Sequence, residues 1–431
     1  MKSHWWRHGF WNSLEHAITR VLDALVALLL IRAMEPAQFS TIALAQAWAS
    51  PFLLLFVGPG GMIYRDFAKW KAEGPEILVS RLRALRRYGL LLGIIAVILS
   101  AVVAVWIPIE TGYHDRFFAQ LWSFALLVGL HLPGADREYL RLELEMRTLS
   151  GINLYQKVTV FGGTLLVLWL WGARLDLLAA VAVFSMVSTA VLVRGLAARV
   201  ISHRMGPARG PIPHVSTTQV VMDLLRSFSL WTHICFALNN WVLTLDLFIL
   251  GLLGLPARVT GLYGASLKLG NLSLAAPFAL SNLFSVWLGR RTQEGADEER
   301  RQLKKFTVLL IGGTALQALV LMVVTPALMP WFLRGNWSLE DQGQILRWFY
   351  WMLAGGVFYS AIPLVNTWLS LRGKAVRLLT HVYLPWTVIA ASLYAWACLG
   401  SPEDAGTRAA QMNVPVVLSL VILIWTEFRR K

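Results

Sequence analysis

Apolar residues gather into long runs separated by short polar connections: 14–33, 40–63, 88–108, 117–133, 152–172 and 177–197, then 228–253, 262–288, 306–333, 346–370, 378–399 and 410–427. Each approaches the roughly 20 residues that an α-helix needs to cross a hydrocarbon layer of about 30 Å. Inside a bilayer every backbone N–H and C=O has to be satisfied by the protein itself, and runs of this length do so as helices. The pattern predicts an all-α polytopic membrane protein with twelve transmembrane helices.

Polar residues within the runs are not scattered. Asn12, His16, Thr19, Arg20 and Asp23 recur at spacings of three and four, which places them on one face of the first helix. An unpaired Arg or Asp at the centre of a spanning helix costs roughly 2.5 to 3.5 kcal/mol on the insertion scale, so this face is expected to turn away from lipid. In the fifth helix Asn153, Gln156, Lys157 and Thr164 repeat the pattern. The seventh carries Thr232, Asn239 and Asp246 on one stripe, with His233, Asn240 and Thr244 beside it. In the eighth, Lys268, Asn271 and Asn282 share an arc, and Gly270, Ser273 and Pro277 supply small or helix-loosening positions. The simplest arrangement is a central polar cavity fed by both halves of the chain. Arg20, Lys157 and Lys268 outnumber Asp23 and Asp246 in it, which points to an anionic cargo.

Composition agrees with a membrane chain: 57% of residues are hydrophobic, 15% are charged, and there are 20 Trp and 20 Phe. The 39 Lys and Arg against 24 Asp and Glu raise the question of nucleic acid, but the basic residues stand between the apolar runs, as at a membrane surface. No nucleic-acid partner is expected. Cys235 and Cys398 are isolated in apolar runs, which excludes a CxxC redox or zinc pattern, and the nine His show no HExxH or paired spacing. No metal and no other cofactor is predicted. The N-terminal MKSHWWRHGFWNSLEH is basic and leads into a run without a small-residue cleavage site, so it reads as an uncleaved cytoplasmic entry.

Most of the 39 basic residues fall on one set of connections: Lys2 and Arg7, Arg65 to Arg87, Arg137 to Arg147, Arg194 to Arg209, Arg290 to Lys305, Arg372 to Arg377, and Arg429 to Lys431. The opposite set holds only Arg116, Arg174, Arg258, Arg334 and Arg408. The positive-inside rule then puts both termini in the cytoplasm. The chain also repeats with an offset of about 220 residues: LLLIRAMEPAQFSTIALAQ aligns with FILGLLGLPARVTGLYGAS, setting Pro36 over Pro256, Phe39 over Val259, Ser40 over Thr260 and Ala45 over Ala265. A six-helix unit used twice enters the membrane from the same side each time, a parallel repeat. The expected organisation is an N-terminal lobe over 1–200, a cytoplasmic linker over 201–219 containing MGPARGPIPH, and a C-terminal lobe over 220–431.

Each polar candidate also has a structural reading. Arg20 and Asp23 stand at a pairing distance within their helix. Lys157, about five residues into its expected helix, is within snorkelling reach of the headgroups, and Lys268 is near the other interface. Arg32 and Arg347 read as interface anchors, and Arg226 with Asp223 as part of an interfacial lead-in, since 218–253 is too long for one span. Asn239 and Asn240 suit interhelical hydrogen bonding as well as ligand contact. Trp48, Trp169, Trp171, Trp348, Trp351 and Trp386 read chiefly as membrane belt, although any facing a cavity can stack on sugar rings. The segment 65–87 ends in RLRALRRYG, a basic amphipathic stretch expected on the inner leaflet, where it would anchor to anionic membrane lipids.

RAMEPAQFSTIALAQAW followed by VGPGGMIYRDFAK, and DLFILGLLGLPARVTGLYGASLKLGNL further on, resemble the helix 1–2 and helix 7–8 junctions of polysaccharide and O-antigen flippases in the multidrug/oligosaccharidyl-lipid/polysaccharide (MOP) exporter superfamily. One departure is Ser40–Thr41, where that family usually has Gly after the aromatic. The resemblance implies two six-helix lobes, alternating access, and transport of an undecaprenyl-pyrophosphate-linked oligosaccharide from the cytoplasmic to the outer leaflet of a bacterial inner membrane. It further implies work beside a polysaccharide polymerase and other glycan-assembly proteins, in lipopolysaccharide or exopolysaccharide synthesis.

Joined to the residues, the expectation is that Arg20, Lys157 and Lys268 contact phosphate, Asn239 and Asn240 bond sugar or headgroup, and Asp23 and Asp246 couple transport to H+ or Na+. A multidrug or small-molecule exporter of the same superfamily is the nearest alternative. A membrane-bound polysaccharide polymerase or ligase is the second, but the short outer connections carry no catalytic constellation, and a non-enzyme is predicted.

Overall fold

A computed structural model describes residues 2–58, 60–107, 111–129, 132–143, 145–206, 212–226, 229–278, 280–281, 284, 296–333 and 335–429. Among these, all regular structure is helical. The helices are α1 (Lys2–Ala33), α2 (Pro36–Ala49), α3 (Gly60–Ala72), α4 (Pro75–Trp106), α5 (Tyr113–Val128), α6 (Gly134–Leu142), α7 (Met146–Trp171), α8 (Leu175–Met205) and α9 (Thr217–Arg226). There follow α10 (Ser229–Trp241), α11 (Leu245–Leu252), α12 (Ala257–Gly270), α13 (Ala296–Phe332), α14 (Leu339–Tyr359), α15 (Ile362–Leu371), α16 (Ala375–Ala397) and α17 (Pro402–Arg429).

Seven helical stretches among the described residues are long and apolar enough to cross a membrane: α4, α7, α8, α13 from Glu298, α14 running into α15, α16, and α17 from Asp404. The expected spans outside that set are the first, second, fourth, seventh and eighth, and each differs for a visible reason. α1 is long but carries Glu15, Arg20 and Asp23. α2 gives way after Ala49 to a 3₁₀ turn, Ser50–Leu55, and α12 gives way after Gly270 to another, Asn271–Leu274. The fourth expected span, 117–133, is met by the 16-residue α5, which ends at Val128, and the seventh is interrupted at 242–244 between α10 and α11. α9 ends at Arg226 before α10 begins, in keeping with a separate lead-in to the seventh span.

The structure corrects the reading of RLRALRRYG. These residues belong to the unbroken 32-residue α4, about 48 Å long, so they extend the third span beyond the hydrocarbon instead of lying along the leaflet. Leu78, Leu82 and Leu85 are buried along this stretch, and the Ser80 hydroxyl donates to the Pro213 carbonyl of the linker, which accounts for the helix remaining docked.

The chain forms two compact units. Unit 1 comprises Met1–Leu22, Phe52–Val105 and Phe117–Ile234, and unit 2 comprises Asp23–Pro51, Trp106–Arg116 and Cys235–Lys431. In unit 1, α7 packs along α8, where Gly163 lets the two backbones close over Val181. In unit 2, α2 packs along α12, the two segments that the internal repeat aligns. Both are 14 residues long, both start at a proline-marked boundary, and both end in a 3₁₀ turn. Gly261 lies against the Pro36 carbonyl, and a Cβ at Gly264 would stand 2.6 Å from that of Ala43. In α16 a π-turn, Leu379–Tyr383, precedes Pro385. The widened turn relieves the clash of the proline ring with the His381 carbonyl.

The α2–α12 contact leaves no room for a methyl group. Gly261→Ala is expected to destabilise the protein by about 1–3 kcal/mol through overpacking, read as a lower midpoint of thermal unfolding in detergent. Gly312→Ala, with nothing within 4 Å of the added carbon, should leave the midpoint unchanged or slightly raised.

Candidate functional site

In unit 1 the polar face of α7 meets charge from two other helices. Asn153 and Gln156 are buried, as are Thr164 and Ser150 on the same stripe. Asn153 Nδ2 donates to Glu15 Oε1 of α1 at 2.6 Å, and Asn153 Oδ1 accepts from the Arg137 guanidinium of α6. Arg137 is only 6% exposed, and its Nη1 has no partner. Sequence reasoning assigned Arg137 to the cytoplasmic charges that set topology; the structure places it inside unit 1 as the buried end of an Arg137–Asn153–Glu15 chain. The signal available was ADREYLRL, whose strongly one-sided polarity buries Ala135, Tyr139 and Leu140 and carries Arg137 inward with them.

Two further ion pairs fix this end of unit 1. Arg86 of α4 grips buried Asp136 through Nε and Nη2, at 2.6 Å for the shortest contact. Glu143, 3% exposed and at the C-cap of α6, receives Lys71 of α3 and Arg204 of α8, each at 2.7 Å. Removing one partner of such a buried set strands the other, at a cost of about 3–5 kcal/mol.

Unit 2 holds the other polar centre. Asp246 is 1% exposed. It accepts from Tyr263 of α12 at 2.7 Å through Oδ2 and from the Leu247 amide at 2.7 Å through Oδ1. Tyr394 lies within electrostatic range of it and bonds Asn413. Asn239, also buried, accepts from Tyr383 at 3.3 Å on its side chain and from Tyr359 at 2.9 Å on its carbonyl. Asn240 donates to the Phe236 carbonyl of its own helix at 3.1 Å. Asp23 is the carboxylate that acts electrostatically on Lys268, so the structure brings these two predicted residues together. On the opposite side of the balance, Arg32 lies over Trp331 and Phe332 at 5.4 and 6.0 Å, an aromatic–cation contact suited to an interface anchor.

Of the other predicted residues, Arg20 is exposed on the part of α1 that belongs to unit 1. Lys157, also in unit 1, is half-buried. α7 starts at Met146, earlier than the sequence suggested, so Lys157 is about three turns into its helix and less suited to snorkelling. Thr19 is buried beside Arg20 in sequence, whereas the side chains of Asn12 and His16, and all of Asn282, lie outside the described residues. Cys235 is free and buried, its thiol donating to the Ala375 carbonyl at 3.2 Å.

No protein-family model matches the sequence, and no curated protein is similar to it in sequence. Solved structures do match over nearly the whole chain. An inward-facing multidrug resistance MATE family transporter of the MOP superfamily aligns with a TM-score of 0.65 at 12% identity, covering 96% of this chain and 98% of that one. The eukaryotic MATE transporter AtDTX14 aligns with a TM-score of 0.66 at 11% identity, over 98% and 94%. The lipid II flippase MurJ, inward closed, aligns with a TM-score of 0.54 at 11% identity, over 97% and 87%. The chain shares the fold of these three structures. At these identities the likeness extends to the fold and not to cargo, so the choice of cargo rests on the polar residues themselves.

Asn153→Leu is expected to lower the unfolding midpoint markedly, because it leaves both Arg137 and Glu15 without their shared partner. Combining it with Arg137→Met should recover part of the loss. A double-mutant cycle on thermal unfolding measures the coupling.

Proposed function

We propose that the protein is a MOP-type transporter that flips an undecaprenyl-pyrophosphate-linked oligosaccharide from the cytoplasmic to the outer leaflet of a bacterial inner membrane by alternating access. The fold supports transport, since the structures it resembles are transporters and one of them is a lipid II flippase. The observation that carries the choice of cargo is the set of cations within expected spans, Arg20, Lys157 and Lys268, to which the structure adds buried Arg137 of α6. A pyrophosphate brings the negative charge that such groups require, and guanidinium and ammonium groups bond phosphate oxygens strongly.

In this reading the twelve spans form two six-helix repeats with both termini cytoplasmic. Arg20, Lys157 and Lys268 contact the pyrophosphate, and the free amide atoms of Asn239 and Asn240 bond sugar or headgroup. Asp23 and Asp246 couple the cycle to H+ or Na+. For Asp246 the support is its burial with only hydroxyl and amide partners, a setting in which the charge of a carboxylate depends on whether a cation is present. The polyprenyl tail stays in lipid, and a glycan polymerase would act on the product.

Multidrug export is the second reading, favoured by the TM-scores of 0.65 and 0.66 to two MATE transporters against 0.54 to MurJ. Flipping in proteoliposomes separates the two. Arg20→Ala, Lys157→Ala and Lys268→Ala are each expected to slow movement of a prenyl-pyrophosphate-linked glycan by about tenfold or more, consistent with loss of a charge-assisted hydrogen bond. Collapse of the ion gradient should stop it. Undiminished flipping in all three variants, or efflux of hydrophobic cations with no movement of the glycan lipid, favours the exporter.

A further inference from the structure

Midway along the interrupted part of unit 2, three aromatic rings stand together. Phe248 of α11 lies between Trp48 of α2, at 4.9 Å between ring centroids, and Trp241 at the end of α10, at 5.7 Å. All three rings are half-buried. Trp48 is about 18 Å of helix rise beyond Pro36, one residue from the end of α2.

The backbone around them is irregular. α10 stops at Trp241, residues 242–244 form turns, and α2 gives way to a 3₁₀ turn at Ser50. Non-helical backbone at membrane depth is tolerated where it is enclosed by protein or lines a hydrated cavity, not where it meets lipid. The hydroxyls of Ser50 and Thr244 pair at 2.7 Å across the two breaks. Asp246, two residues from Phe248, directs its carboxylate to Tyr263 and away from the cluster. Among the described residues no cation lies over any of the three rings.

The decisive feature is that the indole N–H groups of both Trp48 and Trp241 are buried without a hydrogen-bond partner. An indole nitrogen only donates, and a buried tryptophan normally finds an acceptor. Two orphaned donors beside half-open ring faces suit a ligand with an apolar face to stack and oxygens to accept. A pyranose ring has both. A hydrophobic organic cation offers the rings a partner but gives the two N–H groups nothing.

We infer that Trp48, Trp241 and Phe248, with Ser50 and Thr244, form a subsite for a sugar ring of the transported glycan. This deepens the proposed function and rests on it. Sugar entry parts the rings enough to bring the two N–H groups onto ring or hydroxyl oxygens. A Cβ at Gly251 would stand 2.5 Å from Leu44 Cδ2 and 3.0 Å from Trp48 Nε1, so α2 and α11 close tightly beside the indole.

The test is equilibrium binding by the full chain in nanodiscs, using a short prenyl pyrophosphate linked to glucose, galactose or N-acetylglucosamine, and the same lipid without sugar. The wild type is expected to bind at least one glycosylated lipid about tenfold more tightly than the bare one. Trp48→Leu and Trp241→Leu should each erase most of that difference while leaving the bare lipid within about twofold of wild type. Trp48→Phe, which keeps a ring and loses the donor, should fall between. If the bare lipid binds but no sugar adds affinity, or if the variants weaken both lipids alike, the sugar subsite is overturned and the proposed function stands. Trp48→Leu abolishing tetraphenylphosphonium binding while glycosylated-lipid binding persists would also overturn it, in favour of a cation site. If neither lipid binds to the wild type, the proposed function fails and the subsite with it.

Discussion

A helix that stops inside hydrocarbon leaves carbonyl and amide groups that no lipid can satisfy, and much of this structure follows from how the interruptions are accommodated. The second and eighth expected spans both give way to 3₁₀ turns after 14 residues, and these two helices pack along one another in unit 2 through Gly261 and Gly264. The break in the seventh span is closed locally. The Leu238, Asn240 and Trp241 carbonyls accept from Val242, Leu243 and Thr244 amides, and the Asn239 carbonyl accepts from Tyr359. Polar side chains therefore do two things here. They complete the backbone accounting at the breaks, and where they are left over they become candidates for ligand contact.

That distinction shows why the fold was more legible than the site. Hydrophobic run length locates helices because crossing the membrane imposes it, and the repeat was visible because Pro36 and Pro256 mark the same boundary in both halves. The breaks were not legible. Residues 242–244 are Val, Leu and Thr, which carry no turn signature, and their geometry is stabilised by contacts distant in sequence such as Ser50 to Thr244. Burial of charge was harder still. Arg137 sits among Asp136, Glu138 and Arg141, a segment that reads as a solvated loop, and only the folded α6 shows which of these charges turns inward. Asp23 and Lys268 were each picked out on their own helices, but their proximity depends on α1 continuing into unit 2, which no local pattern encodes.

The ends of α6 and α15 share a geometry while exchanging charge. α6 ends at Glu143 with φ −79° and ψ 3°, and α15 ends at Arg372 with φ −84° and ψ 10°, in each case with the cap amide bonded to carbonyls two and four residues earlier. Counting back from those caps, Leu140 matches Leu369, Tyr139 matches Trp368 and Arg137 matches Asn366, all buried. Glu143 gathers Lys71 and Arg204, whereas Arg372 donates to buried Glu299 and lies over Trp368 at 5.4 Å. One half places the acid on the cap and the bases around it; the other reverses the signs. What the position demands is a neutralised pair at a helix end, because either charge alone in that setting is costly.

The same comparison separates support from specificity. Positions that hold the fold together recur in kind across the repeat, as the caps of α6 and α15 do and as the termini of α2 and α12 do. In the register that sets Pro256 over Pro36, Lys268 stands over Trp48 and Asp246 over Val26. Neither pairing keeps its chemistry. An asymmetric cargo is recognised by groups that differ between corresponding positions. A half-buried cation, a buried carboxylate and an indole with an unused donor, at positions whose counterparts differ in chemistry, suit that task.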